Sequence, residues 1–455
     1  MVLERSWPLL SLALMMMVSC GDDDPSGAGG VGGDGGAATT GGAGPGGDGG
    51  QGGGDVEPTM LFEPLGLSPD QLAVVINDQD PISVAVGAAY QQARSIPAEN
   101  VHTLSFATDA VLPEADFAPL KAALDAALGP EIQALALTWA TPYRVGCMSV
   151  TSAFALGFSD VYCNTTGGAC GPTAPVDYFD SSSSAPFTDH GIRPAMTLAA
   201  ATIADGEALI DRGVASDASF PTGNGYFVRT TDTARSVRWP SFVSTVGAFD
   251  HLLGLDVTYV DNADGSGSNV IEDTTGILFY FTGLANVPGI ESNEYIPGAA
   301  ADHLTSFGGR MPDAGGQMSV LRWLEAGATG SYGTTVEPCN YTEKFPDTSV
   351  MLPHYFRGET LIEAYWKSVQ WPGEGVFVGE PLARPWGSSF TVDGDTLTLT
   401  TTSLVPGSTY QIVSGPTPDG PWTPVIEPIT TDAYGFTELS VLDATEPYYL
   451  LREAP

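Results

Sequence analysis

Lysine is nearly missing from this chain. Three of its 455 residues are lysines (Lys121, Lys344 and Lys367), and 16 basic side chains stand against 54 acidic ones, for a formal net charge of -38. Phosphate contacts dominate nucleic-acid affinity, so a chain of this sign is not expected to bind nucleic acid or a broad anionic-lipid surface. Histidine and cysteine are scarce too, with five of each, which narrows the choice of catalytic base and thiol. There is no Gly-x-Ser-x-Gly elbow and no short metal-binding motif. No cofactor and no resident metal are expected.

The two ends are informative. Arg5 followed by the apolar run Trp7–Val18 is too brief to span a bilayer as a stable anchor, and reads as a signal peptide. Ser19 directly before Cys20 forms a lipobox, so residues 1–20 are expected to be a lipoprotein signal with Cys20 the lipidated first residue of the mature chain. Residues 21–57 form a tether: Gly21 to Gly54 holds 18 glycines and no Lys or Arg. Such a segment lacks the apolar area that would offset its ordering entropy and would reach about 30 Å as a flexible coil. Gly21, rather than Asp, at the second mature position predicts a lipid-anchored envelope protein of the outer membrane. The lipid anchor is then its only expected membrane contact.

The remainder alternates. Leu72–Ile76 is a continuous apolar, β-branched run of the kind buried in parallel sheets. Asp80 is placed to cap a helix whose first residue is Pro81. Further strands are expected at 101–106, 132–139, 225–230, 255–260, 276–281 and 328–337, and helices at 82–94, 114–128, 205–214, 239–253, 317–326 and 359–369. This is an α/β body, 58–387, with a mostly parallel sheet flanked by helices in caspase-like or flavodoxin-like layers, divisible at about residue 200. Beyond Pro385 the pattern changes to period-two alternation between turn signals such as Asp393-Gly394 and Asp419-Gly420, which predicts an all-β sandwich module over 388–455.

Three long strings carry a resemblance: PGAAADHLTSFGG (297–309), QMSVLRWLEAGATGSYGTTVEPCNYTEKFP (317–346) and GETLIEAYWKSVQWPGEGVFVGEPLARP (358–385). Together with weaker echoes at 74–94, 141–145 and 208–217, they resemble a family of exported bacterial proteins to which no activity is attached, over most of 70–387. More remotely, the body is similar to gingipain-type cysteine peptidases of caspase-like fold. That likeness puts Thr282 where the catalytic His belongs, Ser306 near the nucleophile position, and Glu380 for an Asp in the closing segment. It implies the fold without the peptidase dyad.

The residues themselves leave several chemistries open. His303 follows Asp302 in a Gly-bounded loop and Cys339 follows Glu337-Pro338, so His303 and Cys339 could form a thiolate–imidazole dyad at one sheet edge. Asp302, Ser306, Glu337, Glu380 and Arg384 would rim such a site, with Arg384 and Glu380 also placed to form a structural ion pair. Asp302, His303, Glu337, Cys339 and His354 offer zinc donors, though at no recognised spacing. A local disulfide between Cys163 and Cys170 is expected, leaving Cys147 and Cys339 for each other. The functional expectation is a membrane-anchored exported lipoprotein whose body binds a ligand or partner. The alternatives are a cysteine hydrolase using His303 and Cys339, or a structural or adhesive envelope component.

Overall fold

Leu72–Asn77 is buried at every position, as an apolar run with no polar alternation requires. It lies between Ala134–Leu137 and Val101–Leu104, parallel to both. The turn that follows behaves as its sequence predicts: the Asp80 carboxylate accepts from the Ile82 amide at 2.9 Å, and Pro81 opens the helix Pro81–Arg94. The structure is a computed structural model and describes residues 57–62, 65–164, 170–249 and 254–454. The signal, Cys20, nearly all of the tether and His251 lie outside the described residues.

Ten strands build one mixed sheet. From edge to edge they are Leu255–Asp261, Gly223–Arg229, Ile277–Thr282, Tyr295–His303, Gly330–Thr334, Gly375–Gly379, Ala195–Thr197, Ala134–Leu137, Leu72–Asn77 and Val101–Leu104. Neighbours run parallel except Gly330–Thr334 against Gly375–Gly379, which are antiparallel. The direction therefore reverses once, in mid-sheet. Each half has five strands, and the carboxyl ends of the halves lie at opposite edges. Helices flank the sheet: Pro81–Arg94 packs on Leu72–Asn77 and on Ile203–Ser216, and Trp239–Phe249 covers the Gly223–Arg229 and Leu255–Asp261 pair.

Several elements differ from expectation. Tyr295–His303, read from sequence as a Gly-bounded loop, is a strand in the middle of the sheet and is buried from Gly298 to His303. Its Gly298-Ala299-Ala300-Ala301 run lacks the branched bulk that marks a strand. Small residues are needed there because a Cβ on Gly298 would sit 2.3 Å from the Pro385 ring, and its φ of +91° already disfavours a side chain. The helix expected from Gln317 starts at Leu321, and the one expected to reach Leu253 is described as Trp239–Phe249. A helix at Thr348–Phe356 was hidden by its internal Pro353.

The terminal residues add smaller sheets. Ser389–Asp393, Thr396–Thr401 and Thr437–Val441 form one antiparallel set. Thr409–Gly415 and Tyr448–Glu453 belong to a second, which is joined by Thr59–Leu61 from the other end of the chain, parallel to Tyr448–Glu453. Leu397, Leu399, Ile412, Val441, Tyr449 and Met60 share one apolar cluster.

Candidate functional site

In open α/β sheets, ligands meet the chain at strand carboxyl ends. In the half that holds most of the sequence-predicted residues, those ends are Arg229, Asp261, Thr282, His303 and Thr334. The TSFGG loop after His303 folds back on the sheet: Gly309 donates to the Thr334 carbonyl at 2.9 Å, an approach so close that a Cβ there would lie 2.2 Å from the Gly333 oxygen. Thr334 in turn donates its hydroxyl to the carbonyls of Thr305 and Ser306, each at 3.1 Å.

His303 is buried and fully engaged. The Trp323 indole donates to its Nδ1 at 2.9 Å, so Nδ1 carries no proton, and Nε2 faces the Met318 carbonyl at 3.1 Å. Burial drives the ring pKa down to about 3, with the Arg238 and Arg235 charges adding to that and the Met318 bond opposing it. A ring with both nitrogens committed cannot serve as base to Ser306 or to a thiol without first leaving Trp323 or Met318.

Cys339 is also engaged. It is bonded to Cys170, and Cys147 is bonded to Cys163. This corrects the expected Cys163–Cys170 loop and the leftover Cys147–Cys339 pair. The tight turn at Gly146 between Arg144–Val145 and Met148–Ser149 brings Cys147 to the buried Cys163. Cys170 instead reaches a turn in which the Cys339 amide donates to the Glu337 carboxylate at 3.0 Å. The ligand atoms of Cys170, Glu337 and Cys339 lie within 4.8 Å of one another, but the two sulfurs are joined to each other rather than free as thiolates. The loops closed span 16 and 169 residues of separation. Chain-entropy arguments then make replacement of the Cys170–Cys339 bond by two serines costlier than that of Cys147–Cys163 by about 2 kcal/mol. Urea unfolding of the two double-serine variants measures the difference.

The remaining candidates have structural partners. Asp302 is buried and pairs with Arg238, whose Nη2 is 2.5 Å from Oδ1 and also donates to the Thr282 carbonyl at 2.8 Å. Burial still holds the Asp302 pKa above its usual value against the Arg238 charge. Glu380 is fully buried and pairs with Arg94, not with Arg384. Arg384 donates its Nε to the Gly358 carbonyl. His354, a candidate zinc donor, is held on both sides, with Nδ1 2.8 Å from Glu359 and Nε2 3.1 Å from Asp180. Lys367 reaches the same Glu359 at 2.6 Å. That cluster had no sequence signal, because Asp180 comes from a segment 174 residues from His354.

Beside Arg238 opens a cavity of about 290 Å³ lined by Phe179, Ser241, Glu343, Phe345 and Asp347 among others. Its Arg238 wall is tied to the Thr282 end of the sheet through the same hydrogen bond. Five sequence-predicted residues, Asp302, His303, Ser306, Glu337 and Cys339, follow the strands Tyr295–His303 and Gly330–Thr334 or end them. None of them lines this cavity, whereas Glu343 and Asp347, which do, drew no notice in the sequence.

No family model and no curated protein matches the chain. Two solved structures are remotely similar. One, titled "Structure of Protease", is 11% identical with a TM-score of 0.41, over 86% of this chain and 98% of that one. The other, the complex of Porphyromonas gingivalis RgpB pro- and mature domains, is 8% identical with a TM-score of 0.30, over 84% and 99%.

Proposed function

We propose that the protein is an exported envelope lipoprotein, anchored through Cys20, whose caspase-like α/β body and terminal β-sandwich bind a ligand or protein partner without cleaving peptides. The observation that carries the non-peptidase reading is the state of the His303 and Cys339 candidate dyad. The His303 ring is neutral with both nitrogens used, and the Cys339 sulfur is bonded to Cys170. A thiol peptidase needs a thiolate and a proton acceptor, and here both groups serve the fold. The cavity beside Arg238 is of a size that accepts a small ligand or one side chain of a partner.

Two measurements test this reading. The full chain, incubated with a pool of fluorogenic peptides, is expected to turn over no more than its Cys339→Ser and His303→Gln variants. Turnover that both substitutions abolish would falsify the non-peptidase reading. Cells fed an alkyne fatty acid are expected to label the wild type and not Cys20→Ser, which should then appear in the soluble fraction. Equal labelling of the two would remove the anchor. No helix among the described residues is long and apolar enough to cross a membrane, so a chain without Cys20 has no helical span there to retain it.

A further inference from the structure

The chain has thirteen arginines among its 16 basic residues, against 54 acidic ones. Three of those arginines, Arg357, Arg384 and Arg452, line one cleft of about 160 Å³ where the α/β body meets the terminal strands. Arg357 follows the helix Thr348–Phe356, Arg384 follows the strand Gly375–Gly379 and its Pro381 turn, and Arg452 lies on the strand Tyr448–Glu453. Their convergence is a tertiary event that no local pattern announces.

These guanidinium groups are poorly matched by the protein. The three are half-buried, and no ion pair joins any of them to a described carboxylate, a state they share with Arg144, Arg212 and Arg310, whereas the buried Arg94, Arg238, Lys344 and Lys367 each have one. Nε of Arg357 and Nε of Arg452 are buried without a hydrogen-bond partner. The Arg384 Nε bond to Gly358 leaves its terminal nitrogens without a bond to a described residue. A buried donor left unmade costs about 1–3 kcal/mol, and more when it is charged. Such donors are available to a bound anion.

Phe62, Leu65, Val405 and Leu451 make part of the remaining lining apolar, and the other part suits an oxyanion. Ser388 and Ser403 add hydroxyls, and both share the Thr401 hydroxyl, at 2.7 and 2.8 Å. Tyr410 accepts from the Val405 amide at 3.1 Å and so keeps its own proton to donate. One carboxylate, Glu453, also faces the cleft and offsets part of the charge. Burial lowers the Arg384 pKa from its ordinary value, and the more distant Glu363, Asp217 and Glu359 only partly oppose this.

We propose that this cleft is a binding site for a soluble oxyanion of the phosphate class, either inorganic phosphate or the phosphoryl end of a small phosphomonoester. Arginine forks match phosphate oxygens two at a time, which is the chemistry that three unpaired guanidinium groups offer. The cleft has room for one phosphoryl group. The chain-wide charge of -38 speaks against a phospholipid bilayer as the source, because a whole membrane meets the whole surface whereas a single ion meets the cleft alone.

Calorimetric titration of the full chain carrying Cys20→Ser with inorganic phosphate at low ionic strength tests the site. One phosphate per chain is expected, weakened about 10- to 100-fold by Arg357→Gln or Arg452→Gln through loss of a charge-assisted hydrogen bond. Glu453→Gln is expected to tighten binding, and it decides the matter if an arginine variant does not fold. No binding, or an affinity indifferent to all three substitutions, would overturn the site. Sedimentation with phosphatidic acid vesicles supplies the second arm. Vesicles are expected to leave the protein in solution, and capture that free phosphate relieves would overturn the soluble assignment.

Discussion

Replacing Lys344 by methionine is expected to lower the unfolding free energy by about 3–5 kcal/mol, the usual cost of stripping one partner from a buried ion pair. Neither Lys344 nor Glu374 has any exposed side-chain surface, and the ammonium lies 2.6 Å from Oε2. Oε1 accepts the Asn164 amide at 3.0 Å, so the carboxylate is fixed from both sides. Burial already raises the Glu374 pKa against the pull of Lys344. Without the ammonium the carboxyl has to stay charged in an apolar site or take up a proton. The deficit should therefore shrink as the pH falls and Glu374 protonates. Lys344→Met with Glu374→Leu should recover most of the loss, since no charge is left behind. Urea unfolding of the three variants at neutral and mildly acidic pH checks each step. A double variant as unstable as Lys344→Met would show that packing, not charge, sets the cost.

The same pair shows where sequence reading stops. Leu72–Asn77 and the Asp80-Pro81 helix start were legible because their information is local: an unbroken apolar run, a capping side chain and a ring with fixed φ. The central strand Tyr295–His303 was not, because its small-residue run lacks the branched residues that announce strands, and close packing against Pro385 requires the glycine at 298. As part of a loop, Asp302 and His303 would be free to react. On the strand they are interior residues that meet Arg238 and Trp323, contributed by segments 64 and 20 residues away. The cysteines repeat the lesson. Proximity in sequence favoured Cys163 with Cys170, whereas a contact across 169 residues placed Cys170 against Cys339. The three-arginine cleft goes further, since one of its walls comes from the terminal strands and two from the body.

His303 should make the protein acid-sensitive in a defined window. An unfolded histidine titrates near 6.5, and in the fold burial holds it to about 3. Below pH 6.5 the unfolded chain therefore binds a proton that the native state refuses. Stability from this group is present in full above pH 6.5 and is lost as the pH falls through that range to 3, by on the order of 4–5 kcal/mol. Asp302 and Glu363 act in the opposite sense, because burial raises their pKa and the fold takes up their protons earlier than the unfolded chain does. The comparison that isolates His303 is accordingly the pH slope of the wild type minus that of His303→Gln, in which the carboxyl contributions cancel. The wild type is expected to lose stability faster between pH 6 and 4, whatever the offset of the two curves. The geometry gives the reason: a proton added at Nδ1 would point at the Trp323 N–H that now donates to it, setting two donors face to face 2.9 Å apart. Parallel slopes would mean that His303 titrates normally and that the ring is free to leave Trp323.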